Sequence, residues 1–265
     1  MKTRSASSKT TSKLASVKKA AAKKKKTPNK AKAAAPEAVN TSKKGDGPWF
    51  DIFTKGDEEY TAYMTNEWGF ETRGDQALFE RISLEGAQSG LSWLTVLRKR
   101  DAYRRVFHGF DVDQVAKMTD QDVERILAEE DKENTRNIIV RHRGKVESVI
   151  SNAKCIQQLY AESKTKTKRK PKYGVLDELL WSFVDHRPIL NVSWQGDLKD
   201  AATQTQESKH MSKELKKLGF RFVGPTTCYA MMQSVGMVLD HPVNSKEWKG
   251  AKERLKKRKG GYQER

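Results

Sequence analysis

The sequence predicts an all-α domain set between two basic tails, and three observations carry that prediction. From Ala77 to Arg125 apolar residues recur at spacings of three and four, the period of one helix face. Alternating strand-like patterns are nearly absent. Charge is segregated: of the net +18, residues 1 to 46 carry +12 and residues 246 to 265 carry +6, which leaves the 199 residues between them neutral. That neutral stretch has the length and balance of an ordinary packed domain.

The first helix with a clear face starts near Ala77. Leu78, Ile82 and Glu85 fall at i, i+4 and i+7, so a carboxylate stands on the face that looks inward. Gly90 ends that helix, Ser92 suits an N-cap, and Trp93, Val96, Leu97 and Arg100 continue the helical spacing. The same signals predict helices at about 112 to 128, 138 to 160, 175 to 185, 210 to 218 and 226 to 238.

Ser212 to Met237 is the most informative segment. It reads as a helix carrying Leu215 and Leu218, a short hairpin from Gly219 to Gly224, and a second helix opening at Pro225 and Thr226 with Tyr229 and Met232 inward. Amide donors at the start of the second helix, around Gly224, Thr226 and Thr227, make an anion site, and beside basic tails the natural anion is a DNA phosphate. An ordinary αα-hairpin in a bundle has the same pattern.

Aromatic residues crowd into YTAYMTNEWGF as Tyr60, Tyr63, Trp68 and Phe70, with Trp93 one helix later. Such a cluster is either core packing or a stacking pocket in which an inward Glu85 reads the edge of an extruded base. Glu85 on its own is equally consistent with a buried acid satisfied by backbone amides.

The tails exclude other classes. Residues 1 to 46 hold fourteen Lys or Arg against Glu37 and Asp46 and almost nothing to bury, so disorder and salt-sensitive polyanion binding are expected. Lys23 to Lys26 fits a nuclear import patch, and the Ser/Thr-rich start also fits an organelle transit peptide. A further basic run, Lys164 to Lys172, contains Pro171 and reads as an inserted surface loop at about 162 to 173. No apolar run approaches a membrane span and no secretory apolar segment opens the chain, so no membrane partner is expected. Only Cys155 and Cys228 are present, which excludes a disulfide framework, and no Cys/His spacing suits a metal.

NEWGFET, LFERISLEGAQSGLSWLTVLRKRDAYRRVFHGFD, VRHRGKVESVISNAK, LWSFVDHRP and LKKLGFRFVGPTTCYAMMQSVGMVLDH occur in the order seen in the DNA-3-methyladenine glycosylase I family of the helix-hairpin-helix superfamily, which the sequence resembles from about Tyr60 to His241. The resemblance implies an all-α, two-subdomain glycosylase domain at 47 to 245. Its implied activity is to flip 3-methyladenine out of double-stranded DNA and hydrolyse the N-glycosidic bond, as a monofunctional base-excision repair enzyme without a cofactor. The family's base-binding Glu matches Glu85, its stacking Trp residues match Trp68 and Trp93, and its pocket Tyr matches Tyr63, while Gly219, Gly224, Thr226 and Thr227 hold the hairpin's phosphate contacts. Many relatives in the superfamily carry a catalytic Asp about 20 residues past the hairpin glycine. Here that count reaches Asn244, with Asp240 the nearest acid.

One part of the family pattern is missing. Bacterial members hold zinc with two Cys and two His, and the matching positions are about Gly47, Met64, His241 and about Ser245, so His241 alone remains and no metal is expected. Packing by Trp49 and Trp248 is expected to join the chain ends instead. A monomer is expected, with a non-catalytic lesion-binding protein as the alternative reading; the Lys23 to Lys26 patch points to the nucleus, with a mitochondrion or other organelle, or the nucleoid of a bacterium, as the alternative compartment.

Overall fold

The computed structural model describes residues 48–166 and 171–265. The basic segment 1 to 46 and the centre of the basic run near 170 lie outside the described residues.

A short helix α1 (Asp51–Thr54) leads into α2 (Glu58–Asn66), whose N-cap Asp57 accepts from the Tyr60 amide at 2.9 Å and whose inner face buries Tyr63 and Met64. The central helix α3 (Asp75–Gln88) buries Leu78, Phe79, Ile82 and Glu85, as its spacing predicts. Ser92 caps α4 (Trp93–Leu97), but the expected continuation to Arg100 breaks, and α5 (Arg100–Val106) starts afresh. The helix expected over 112 to 128 is two, α6 (Val112–Val115) and α7 (Asp120–Ala128). The Asp122 carboxylate accepts from the Thr119 amide at 2.9 Å and resets the start of α7 there.

Helix α8 (Arg143–Lys166) starts later and ends later than the sequence suggests. The basic loop expected from about 162 therefore begins no earlier than the end of that helix, and Ile138 and Ile139 run in before it as buried extended chain. Helix α9 (Val175–Ser182) is locked to α3 by exchanged caps. Asp75 accepts from the amides of Val175 and Asp177 at 3.0 and 2.9 Å, while Asp177 accepts from the Gly74 amide at 2.7 Å and from Arg73. Gly174 makes this possible: at φ 125° it adopts a conformation closed to other residues, and a Cβ there would sit 2.1 Å from an Asp75 oxygen.

Helix α10 (Gln206–Lys217), the turn through Gly219 to Gly224 and α11 (Pro225–Ser234) form the expected helix-hairpin-helix, with Pro in the first turn of α11. Asn152 of α8 pins the turn, its side chain bonding both the amide and the carbonyl of Arg221 at 2.8 and 3.1 Å, and Ser212 donates to the Val223 carbonyl at 2.6 Å.

Three two-residue strands, β1 (Ile189–Leu190), β2 (Val238–Leu239) and β3 (Gln263–Glu264), form a parallel sheet in the order β2-β1-β3. Strands this short have no period to read in sequence. The stretch 246 to 265, read above as a basic tail, is folded. Helix α12 (Lys246–Lys256) buries Trp248, Ala251 and Leu255 against Leu190 and Leu239, and β3 follows it onto the sheet. Among the described residues no helix is long and apolar enough to cross a membrane.

Candidate active site: an aromatic cleft around Glu85

Helices α2, α3 and α4 and the segment after β1 enclose a cavity of about 210 Å³. Tyr60 and Tyr63 of α2, Trp68 just beyond it, Trp93 at the start of α4 and Glu85 of α3 all line it. The ring centres of Tyr63 and Trp93 lie 5.2 Å apart at 42°, and those of Tyr60 and Tyr63 lie 6.4 Å apart at 39°, so one wall is a continuous sheet of π surface. The Glu85, Tyr63, Trp68 and Trp93 predicted from the sequence are thus brought together in one cavity.

Glu85 is 5% exposed. Burial pushes its carboxyl up to about 7, against the opposing pull of the Arg81 guanidinium and of the nearby Ser234 side chain. A carboxyl in that state takes or releases a proton near neutrality, and as an anion it is a strong acceptor for the N–H edge of a purine. Burial, with Glu85 nearby, also raises the Tyr60 phenol to about 12, so that hydroxyl keeps its proton as a donor facing the cavity.

Position along α3 is fixed from its C-terminal end. Lys145 of α8 is buried and its ammonium donates to the carbonyls of Ala87 and Ser89 at 2.8 and 2.7 Å, satisfying the last turn and complementing the helix dipole. Sequence reasoning did not single out Lys145, which reads as one more basic residue in RHRGK.

The far wall was only partly foreseen. Trp49, read above as an end-joining residue, lines the cavity and meets Trp68 at 5.7 Å and Trp194 at 5.5 Å. Trp194, Leu198, Ala201 and Ala202 come from the irregular segment between β1 and α10, where no periodicity marks them. Asp240 also faces the cavity and accepts from Gln233 at 2.8 Å, from Asn191 at 2.9 Å and from the Tyr229 hydroxyl.

His241 lies behind this wall, edge-on to Trp68 at 5.3 Å and to Trp49 at 6.0 Å, with neither ring nitrogen hydrogen-bonded. Burial, helped by Arg254, lowers its pKa to about 4, so it is a neutral ring packed among aromatics. The residues at the positions matched to zinc ligands do not fit zinc. Met64 offers a thioether, Ser245 spends its hydroxyl capping α12 at the Trp248 amide, and among the described residues no three His, Cys, Asp or Glu gather. Gly47 lies outside the described residues. Trp49 does link the start of the domain to His241, whereas Trp248 belongs to the separate cluster under α12.

At the hairpin, Gly219 has φ 90° and its Cα faces the Cys155 sulfur, while Gly224 has an ordinary φ of −63° and serves as N-cap of α11. Thr226 is exposed and Thr227 half-buried, so the first turn of α11 opens outward.

A family model described as methyladenine glycosylase matches residues 53–247, which takes in α2 through β2 and every cavity residue named here except Trp49. The DNA-3-methyladenine glycosylase of Haemophilus influenzae is 43% identical over 183 residues, covering 69% of this chain and 88% of its own length. DNA-3-methyladenine glycosylase 1 of Escherichia coli is 42% identical over 187 residues, 71% and 90% respectively. Among solved structures, a crystal structure of a 3-methyladenine DNA glycosylase I superposes with a TM-score of 0.61 at 41% identity, over 72% of this chain and 93% of that one. The Staphylococcus aureus enzyme, solved for its recognition of 3-methyladenine, gives 0.64 at 30% identity over 76% and 97%. With the buried acid, its π-faced walls and the helix-hairpin-helix all falling inside the matched region, the chain belongs to the methyladenine glycosylase family.

Proposed function

We propose that the protein is a DNA-3-methyladenine glycosylase that removes the alkylated base by hydrolysis and leaves an abasic site in DNA. The observation that carries the reading is Glu85, a buried carboxylate in a cavity walled by Tyr63, Trp68 and Trp93. Methylation at N3 leaves adenine cationic within the duplex, and a base so altered unstacks more readily than a normal one. Once extruded, it is held between aromatic faces that favour a cation, with Glu85 accepting from its edge. The bond from C1′ to the base then breaks, its electron pair passes to the ring and neutralises it, and C1′ takes the positive charge. Water adds its oxygen to C1′ and releases a proton. Lys145, the buried lysine nearest α3, has its ammonium spent on two carbonyls, which supports hydrolysis without a lysine adduct.

Gly219, Gly224, Thr226 and Thr227 are assigned the backbone phosphates beside the flipped nucleotide, since the first turn of α11 points amide donors outward. The enzyme is assigned to act as a monomer away from membranes, and the Lys-rich residues 1 to 46 to serve as a DNA-binding arm and nuclear address.

The test is release of free base from methylated DNA by the full chain, by Glu85→Gln and by Trp68→Ala. Release of 3-methyladenine by the wild type, with a loss of a hundredfold or more in Glu85→Gln, is expected. DNA binding by the wild type with release no greater than buffer would instead establish a lesion-binding protein.

A further inference from the structure

Arg81 stands one helical turn before Glu85 on α3, with its side chain only 11% exposed. Its guanidinium donates to the Tyr63 hydroxyl at 3.1 Å and lies 5.5 Å from the Tyr63 ring centre and 5.9 Å from that of Trp93. It does not line the cavity; it sits behind the wall that does. The acids facing it are Glu67, at 3.7 Å, and Glu85 one turn along the same helix. Glu67 is already claimed by Arg100 through two bonds of 2.5 and 2.9 Å. The positive charge of Arg81 is therefore only partly compensated away from the cavity, and the rest of its field falls on the wall and on Glu85.

A cation in that place looks wrong for a site that takes a cationic base. From behind, it draws on the π-electrons of Tyr63 and Trp93 and so weakens the faces they turn to the cavity, and it opposes the base's charge directly. The reaction supplies the reason. Bond cleavage carries an electron pair into the base, so the base is most positive before the step and neutral after it. An interaction that penalises the starting charge more than the transition state lowers the barrier.

We propose that Arg81 is a positioning residue of this reaction, which fixes the Tyr63 ring and, from behind the Tyr63–Trp93 wall, disfavours positive charge on the bound base, so that loss of that charge on glycosidic cleavage is accelerated. Glu85 and Arg81 then act in opposition, one recognising the cation and the other driving its discharge. The inference rests on the glycosylase reading above, and wild-type base release tests that reading separately.

The experiment compares the wild type, Arg81→Met and Arg81→Lys for single-turnover base release and for inhibition by two free bases at pH 8: 3,9-dimethyladeninium, a permanent cation, and neutral 3-methyladenine. Thermal melting of each variant accompanies these measurements. In Arg81→Met the cation is expected to bind on the order of tenfold more tightly while the neutral base changes less than threefold, as befits removal of one charge at this range. The single-turnover rate at saturating DNA is expected to fall on the order of tenfold, with KM unchanged or lower. Arg81→Lys, which restores the charge, is expected to restore the discrimination between the two bases. A parallel shift for both bases, an unchanged rate in Arg81→Met, or Arg81→Lys discriminating no better than Arg81→Met would each overturn the proposal.

Discussion

Gly86 and Phe222 meet back to back: a Cβ on Gly86 would stand 3.2 Å from the Phe222 Cβ. Gly86 follows Glu85 in α3, and Phe222 sits at φ 56° inside the hairpin between α10 and α11, so the acid and the hairpin share one contact. The bare backbone of α3 lets the hairpin close onto it, and the hairpin in turn fixes how far α3 reaches toward the cavity. Gly86→Ala asks Phe222 to give by a few tenths of an ångström, and Gly86→Val asks for far more than a packed turn can yield. Base release is expected to fall severalfold in the first and at least a hundredfold in the second, with DNA affinity dropping alongside. Gly86→Val with wild-type release and affinity would separate the two sites.

Lys145 predicts a loss of stability and activity together. Replacing it with Met leaves the Ala87 and Ser89 carbonyls at the end of α3 without their donor. The cost is about 2 kcal/mol, or a fall in Tm of several degrees for a domain of this size. Because the frayed turn adjoins Glu85, kcat/KM for base release is expected to fall further than the lost stability accounts for. Melting curves and kinetics on Lys145→Met check both, and a stable but fully active variant would remove Lys145 from the account.

The buried Glu85 carboxyl makes a prediction about pH. Its pKa rises from an ordinary 4.5 to about 7 on folding. The folded state thus binds the proton more tightly than the unfolded chain, and this group's effect is to lower stability as pH rises from about 4.5 to about 7, after which it levels off. Glu85→Gln, which cannot ionise, is expected to melt higher than the wild type at pH 8, by a difference on the order of 3 kcal/mol, and to match it at pH 4. Activity runs the other way, because the anion is the form that binds a cationic base. Wild-type kcat/KM is expected to climb through about pH 7 to a plateau. A profile flat from pH 5 to 8 would show that Glu85 carries neither role.

Helix α3, the Ser92 cap, the helix-hairpin-helix and the four cavity residues were legible because each is local. A period of three or four, a capping side chain or a Gly-Pro turn is written in consecutive residues. What the sequence concealed is what depends on contacts far along the chain. Arg81 reads as an unremarkable helix residue until folding brings Tyr63 and Trp93 to it, and Lys145 is one basic residue among several until α8 crosses the end of α3. Trp194 sits in a segment without period, and its place in the cavity follows from β1 pairing with β2. The C-terminal stretch misled for a related reason. Its charge dominates its composition, yet Trp248, Ala251 and Leu255 at i, i+3 and i+7 are an apolar stripe on a basic helix.

That stripe and its ion pairs to Glu71 and Glu207 tie down the C-terminal stretch. Arg258 reaches back to Glu71 with bonds of 2.6 and 3.1 Å and donates to the His186 carbonyl at 3.0 Å, while β3 pairs with β1. The Glu71 carboxyl is pulled below its ordinary range by Arg258 and Arg73, against the desolvation that would raise it. The packing of Trp49 on His241 adds a contact between the first described residues and the segment after β2. Arg258→Ala is expected to lower Tm by about 2 to 4 °C, the effect of a partly exposed bidentate pair worth about 1 kcal/mol. Removing 246 to 265 uncovers Leu190 and Leu239 and is expected to cost several times as much. A strong chelator, by contrast, is expected to leave Tm and base release unchanged, since His241 lacks a set of partner ligands among the described residues. Melting the full chain with and without chelator, beside the two variants, decides whether packing and ion pairing or a metal holds this end of the domain.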